Sequence, residues 1–156
     1  MNTDAKYLNN YATGGAIMRN TEGKMIFAVS YPLLAASSLE AEIASVFYAI
    51  EWALNEGYLD FMVEMDAAVA LRYITEGEVG RWRASFQENL LKANRKGVSF
   101  SHVLREGNWV AHFLSESSSA QINKFNMIWF LIFLVRPVKL IDLCDLFNIL
   151  SFRYAY

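Results

Sequence analysis

Apolar and polar residues change their period several times along this chain, and each change marks an element. Gly14-Gly15-Ala16-Ile17-Met18-Arg19 reads as a strand and leads into Asn20-Thr21-Glu22-Gly23, a turn sequence. Lys24 to Ser30 returns as a second strand, so the pair predicts a hairpin. Ser37 and Ser38 offer N-caps for a helix to about Glu56, with Leu39, Ile43, Val46, Phe47, Ile50 and Leu54 at three- and four-residue spacing and Gly57 as its stop. Phe61 to Met65 is a short apolar strand ending at Asp66. Ala67 to Ile74 reads as a helix, Thr75 to Gly80 as a loop, and Ala84 to Lys96 as a helix stopped by Gly97. Val98 to Leu104 alternates as a strand, and Asn108 to Ser115 opens a last helix. This β-β-α-β-α-α-β-α order predicts an α/β fold, a mixed sheet with an early antiparallel hairpin and helices packed on it.

The pattern then fails. Ser115 to Ser119, broken only by Glu116, reads as a seam, and residues 117–156 show neither helical spacing nor caps. Acidic residues dominate up to Glu116, whereas the remainder is net basic and dense in Ile, Leu and Phe. The chain therefore divides into a domain over 1–116 and an apolar extension over 117–156. The extension is expected to cover the domain or pair with another chain, with a membrane-interface segment as the other reading. Its longest apolar run, Met127 to Val135, is far short of the ~20 residues a membrane span needs.

At 156 residues and 54% hydrophobic there is material for one domain with a real core. A formal net charge of −2 does not announce nucleic acid, so such a partner has to be argued from a local site. One cysteine, Cys144, excludes an internal disulfide framework and a cysteine-based zinc site. With only two histidines, His102 and His112, chemistry here has to rest on carboxylates. Met1 to Tyr11 has no secretory pattern, and an intracellular protein, nuclear or cytoplasmic, is the expectation.

Three acids stand where they can converge. Asp4 lies in the first extended segment, Glu42 one turn inside the long helix, and Asp66 at the end of the strand that follows. Sites in open α/β sheets form at the carboxyl ends of strands, and a cluster of hard oxygen donors suits magnesium or manganese. Acids are common here, though, and most are solvated; Glu40, Glu51, Glu56, Glu76, Glu78 and Glu88 read as plain surface residues.

Five pieces occur in order and at fitting spacing. They are Asn2-Thr3-Asp4; Gly14 to Arg19 with Glu22-Gly23-Lys24; Glu40-Ala41-Glu42; Val63-Glu64-Met65-Asp66; and His102-Val103-Leu104-Arg105-Glu106-Gly107-Asn108-Trp109-Val110-Ala111-His112. Together they resemble the ribonuclease H-like domain of the plant, retroelement type, a reverse transcriptase-like family within the type 1 ribonuclease H superfamily. The resemblance covers about residues 1–116 and implies a five-stranded mixed sheet flanked by helices. By that likeness Asp4, Glu42 and Asp66 are metal-binding catalytic carboxylates, His102 a proton carrier or product-release aid, and Asn108 and Arg105 substrate-binding residues.

The activity implied is metal-dependent endonucleolytic hydrolysis of the RNA strand of an RNA–DNA hybrid, using two magnesium or manganese ions about 4 Å apart. The RNA strand would be told from DNA by its 2′-hydroxyls. Two departures shape the expectation. His112 stands where the family usually has a fourth aspartate, either as a neutral metal ligand or as a packing residue, so the second ion should bind more weakly. Asp4 lies three residues from Met1, where the family's first strand begins several residues earlier; a shortened first strand and a fragment of a longer protein are expected. Alternatives are a catalytically silent nucleic-acid-binding relic and a protein-interaction module using the tail. Arg81, Trp82 and Arg83, with Lys92, Arg95 and Lys96, form either a phosphate-touching patch or a solvated face with Trp82 buried.

Overall fold

The computed structural model describes residues 1–8, 11–81 and 83–125, the last eight of these by backbone alone. Five strands form one sheet: β1 (Asn2–Leu8), β2 (Tyr11–Arg19), β3 (Met25–Leu33), β4 (Met62–Met65) and β5 (Ser99–His102), in the order β3-β2-β1-β4-β5. Strands β1 to β3 are antiparallel neighbours, whereas β1–β4 and β4–β5 are parallel. The sheet is mixed, as expected, and the antiparallel and parallel halves meet between β1 and β4.

Four helices connect and cover it: α1 (Ser38–Asn55), α2 (Ala68–Thr75), α3 (Ala84–Arg95) and α4 (Arg105–Phe125). Ser37 caps α1, its Oγ accepting from the Glu40 N–H, and Gly57 takes a left-handed φ of 89° just beyond the helix end. The face of α1 bearing Ile43, Val46, Phe47 and Ile50 is buried in the main core with Val29, Val63, Met65 and Phe86.

Two adjacent glycines show that α1 and α4 lie on opposite faces of the sheet. A Cβ on Gly14 would strike Tyr31 and Ser45 of the α1 side, at 2.1 and 2.7 Å. One on Gly15 would strike the Ala111 carbonyl and the Ser115 nitrogen of α4, at 2.4 and 2.6 Å. Successive strand residues point to opposite faces, and both helices approach the backbone too closely for any side chain.

The differences from the sequence reading have local causes. Part of the expected 75–80 loop forms a 3-10 turn, Glu78–Arg81, that buries Val79. Strand β5 stops at His102, and α4 starts at Arg105, three residues before Asn108. The serine run does not interrupt the backbone: α4 passes through it to Phe125. Ser117 turns its hydroxyl back to the Phe113 carbonyl at 2.8 Å, within the helix itself. Glu40 is not a surface residue either. It is buried, and its carboxylate accepts from the Ala36 N–H at 2.8 Å and from Arg83 Nε at 2.8 Å.

Among the described residues no helix is long and apolar enough to cross a membrane. Trp82, Cys144 and most of the apolar extension lie outside the described residues.

Candidate active site

The split between β1 and β4 creates the site. Asn2 pairs with Glu64 in the parallel register, so two residues further along both strands Asp4 comes level with Asp66. Pairing between the two strands goes no further than Asn2–Glu64. Beyond it, the Ala5 N–H lies close enough to the Glu42 carboxyl of α1 to favour its charged form. An acid on the α1 face thereby comes within electrostatic reach of Asp4, whose side chain points to the α4 face. Strand order reverses at this point, where open sheets place their binding crevice.

Each carboxylate has its own support. Asp4 is buried, and its Oδ2 accepts from Ser115 Oγ at 2.6 Å and from His112 Nδ1 at 3.2 Å. The Asp4 backbone carbonyl accepts from Ser45 Oγ at 2.7 Å, and that hydroxyl stands 3.0 Å from the Tyr31 hydroxyl. Asp66 Oδ1 accepts from Asn108 Nδ2 at 2.8 Å, and the same amide group donates to the Thr3 carbonyl at 2.9 Å. Asn108 is fully buried, so it acts as a brace between the ends of β1 and β4. Asn108 Oδ1 and Thr3 Oγ1 are buried without a hydrogen-bond partner among the described residues.

The acids feel one another. Burial pushes the Glu42 carboxyl up to about 9, and the charges of Asp4 and Asp66 push it the same way, against the Ala5 N–H and Arg105. Burial also raises Asp4, with Asp66 adding to the rise while the Ser115 and His112 hydrogen bonds oppose it. Glu42 and Asp4 therefore sit where burial and neighbouring charge disfavour their ionised forms.

The remaining expected residues fall as follows. His102 is exposed at the end of β5, opposite Met65 and so beside the strand end that carries Asp66. His112 lies between two partners, with Nδ1 3.2 Å from Asp4 Oδ2 and Nε2 3.2 Å from Arg105 Nη2. Arg105 is thus turned to His112. Ser115 was missed from sequence, since nothing in its spacing distinguishes it from the neighbouring serines. Of the basic patch, Arg83 is tied to Glu40 and the Leu34 carbonyl and Arg81 to Glu78, while Lys92, Arg95 and Lys96 are exposed.

A divalent cation can be tested against this donor set. Its chemistry fits: the donors are hard oxygens, and a cation would offset the burial and mutual repulsion that disfavour the ionised forms of Glu42 and Asp4. Among the described residues no group of three or more His, Cys, Asp or Glu side chains stands arranged to hold one.

Residues 2–118 match the model of the reverse transcriptase-like family, and the chain belongs to that family. No curated protein matches it in sequence. Among solved structures it resembles ribonuclease H1 of the halophilic archaeon Halobacterium salinarum, at 19% identity over 77% of this chain and 96% of that one, with a TM-score of 0.63. It also resembles LC11 ribonuclease H1, isolated from compost, in complex with an RNA/DNA hybrid, at 20% identity over 77% of this chain and 96% of that one, TM-score 0.60. A third likeness is to the foamy viral protease–reverse transcriptase with an RNA/DNA hybrid, at 18% identity over 77% of this chain but 19% of the viral chain, TM-score 0.60. At these identities the likeness is one of fold, and that fold is ribonuclease H-like.

Proposed function

We propose that this domain binds RNA–DNA hybrids and hydrolyses their RNA strand, with Asp4, Glu42 and Asp66 as the acids of the site. What supports this reading is that Asp4 and Asp66 both act electrostatically on Glu42 beside the β1–β4 split, where burial first and then their charges raise its carboxyl to about 9. Family membership and the hybrid-bound fold neighbours support the substrate class.

In the reaction a water oxygen attacks phosphorus and the P–O3′ bond breaks, leaving a 3′-hydroxyl and a 5′-phosphate. Divalent cations, when bound by Asp4, Glu42 and Asp66, supply water activation and charge neutralisation. Asn108 fixes the direction of Asp66, and Ser115 with His112 fixes that of Asp4. His102, exposed beside the strand ends, is placed to carry a proton to or from the exposed side of the site.

A second reading is favoured by one contact. Both donors on Asp4 converge on Oδ2, and one of them is the His112 ring, so the domain could hold a hybrid without cutting it. A hybrid with labelled RNA, incubated with magnesium and separately with manganese, separates the two. Cleavage that is lost in Asp66→Asn and on chelation supports hydrolysis. Binding of the hybrid with no cleavage under either metal overturns it in favour of the silent binder.

A further inference from the structure

His112 has two polar neighbours of opposite character, and together they dictate where its ring proton sits. An arginine guanidinium only donates hydrogen bonds. Arg105 Nη2 lies 3.2 Å from His112 Nε2, so Nε2 has to accept and carries no proton. Asp4 Oδ2 lies 3.2 Å from Nδ1, so Nδ1 has to donate. Glu116 Oε1 stands 3.6 Å from Nε2, beyond hydrogen-bond reach, and is engaged by Lys6 Nζ at 3.0 Å. Both contacts point to the same tautomer.

We infer that Arg105 and Asp4 between them orient the His112 ring so that Nδ1 donates and Nε2 accepts, and that His112 in turn acts as a positioning residue holding Asp4 from the α4 side. The inference deepens the hydrolase reading, because it gives Arg105 and His112 a place in the site that is neither substrate contact nor metal ligation. A ring donating through Nδ1 and accepting through Nε2 passes the polarising effect of a permanent cation to a buried carboxylate. Ser115 works beside it. Its hydroxyl falls on the same Oδ2, so the carboxylate is gripped at one oxygen by two donors from one helix.

Heteronuclear NMR of the imidazole nitrogens on the full chain reads the tautomer directly. The His112 signals are assigned by their loss in His112→Gln, and the exposed His102 serves as reference. At about pH 8, wild-type His112 should show its proton on Nδ1, and Arg105→Ala should shift the population toward Nε2–H. Manganese binding to the apo protein, followed by calorimetry, reads the positioning role. His112→Ala should weaken it by about tenfold or more, and His112→Asn, whose amide nitrogen can stand near the position of Nδ1, should restore much of it. An Nε2–H or doubly protonated ring in the wild type overturns the relay, as does a ring unmoved by Arg105→Ala. His112→Asn binding manganese as poorly as His112→Ala overturns the positioning role. Failure of the hydrolase reading looks different: the ring keeps its Nδ1 proton while the hybrid goes uncut.

Discussion

Ser115 gives its hydroxyl to Asp4 Oδ2 across 2.6 Å, joining α4 to the central strand in a space that water hardly enters. A second contact locks the pair in register, because the Thr13 hydroxyl donates to the Ser115 carbonyl at 2.7 Å. The helix that carries Asn108 and His112 is therefore fixed to β1 and β2 by polar bonds as well as by packing.

Replacing Ser115 by Ala removes one of the two donors on Asp4 and leaves the second, from His112, at 3.2 Å. Loss of a buried bond to a charged group costs about 1.5–3 kcal/mol. Urea unfolding of Ser115→Ala should show a lower midpoint with an unchanged slope. An unchanged midpoint would show that the hydroxyl does not hold the carboxylate.

A methyl group at Gly15 should act on the same joint from the sheet side. Its Cβ would lie 2.4 Å from the Ala111 carbonyl oxygen and 2.6 Å from the Ser115 nitrogen, both backbone atoms that cannot swing aside. Gly15→Ala should therefore push α4 off β2, with a cost of about 1–3 kcal/mol or more. Gly23→Ala is the contrast, since nothing lies within 4 Å of its Cβ and the penalty comes only from its left-handed φ of 80°. Thermal unfolding of the two variants, together with manganese binding, should show loss of binding only for Gly15→Ala.

Much of this architecture could be read from the residues. The hairpin, α1 between Ser37 and Gly57, the β4 strand ending at Asp66 and the α3 stop at Gly97 all follow from local pattern and turn chemistry. What escaped was set by partners far away in sequence. Glu40 looks like any helix-surface acid until Arg83, 43 residues on, closes over it. The serine run reads as a break because free serines favour turns, yet α4 runs through it with Ser115 buried against the sheet and bonded to Asp4. The three acids could be named from sequence, but their coupling depends on where β1 and β4 part, which no local window contains.

Stability should depend on pH through Glu42. Its ordinary value of 4.5 is raised to about 9 in the folded chain, first by burial, then by Asp4 and Asp66. The folded state then keeps a proton that the unfolded state has released, so stability is full below about pH 4.5 and lost as pH climbs through about 9. Asp4, also raised, adds a loss of the same sign. Unfolding midpoints in metal-free buffer should fall between about pH 5 and pH 9, and Glu42→Gln should flatten that slope. Manganese should steady the wild type at the alkaline end and do little for Glu42→Gln. A wild-type slope no steeper than that of the variant would show that Glu42 titrates normally.

Asn108 offers the sharpest separation of fold from chemistry. Its amide nitrogen spans the Thr3 carbonyl and Asp66 Oδ1, so it holds β1 and β4 together where their own pairing has ended. Asn108→Asp keeps the size but places a carboxylate 2.8 Å from another carboxylate in a buried position. Like charges there should raise the pKa of one of the two acids and weaken the fold by about 1–3 kcal/mol at neutral pH, with recovery in acid as one of them takes up a proton. Asn108→Ala removes both bonds without adding charge, so its loss of stability should vary little with pH. Unfolding curves at acid and neutral pH measure both. Equal pH profiles for the two variants would mean that the amide does not face Asp66, and the brace across the strand ends would have to be abandoned.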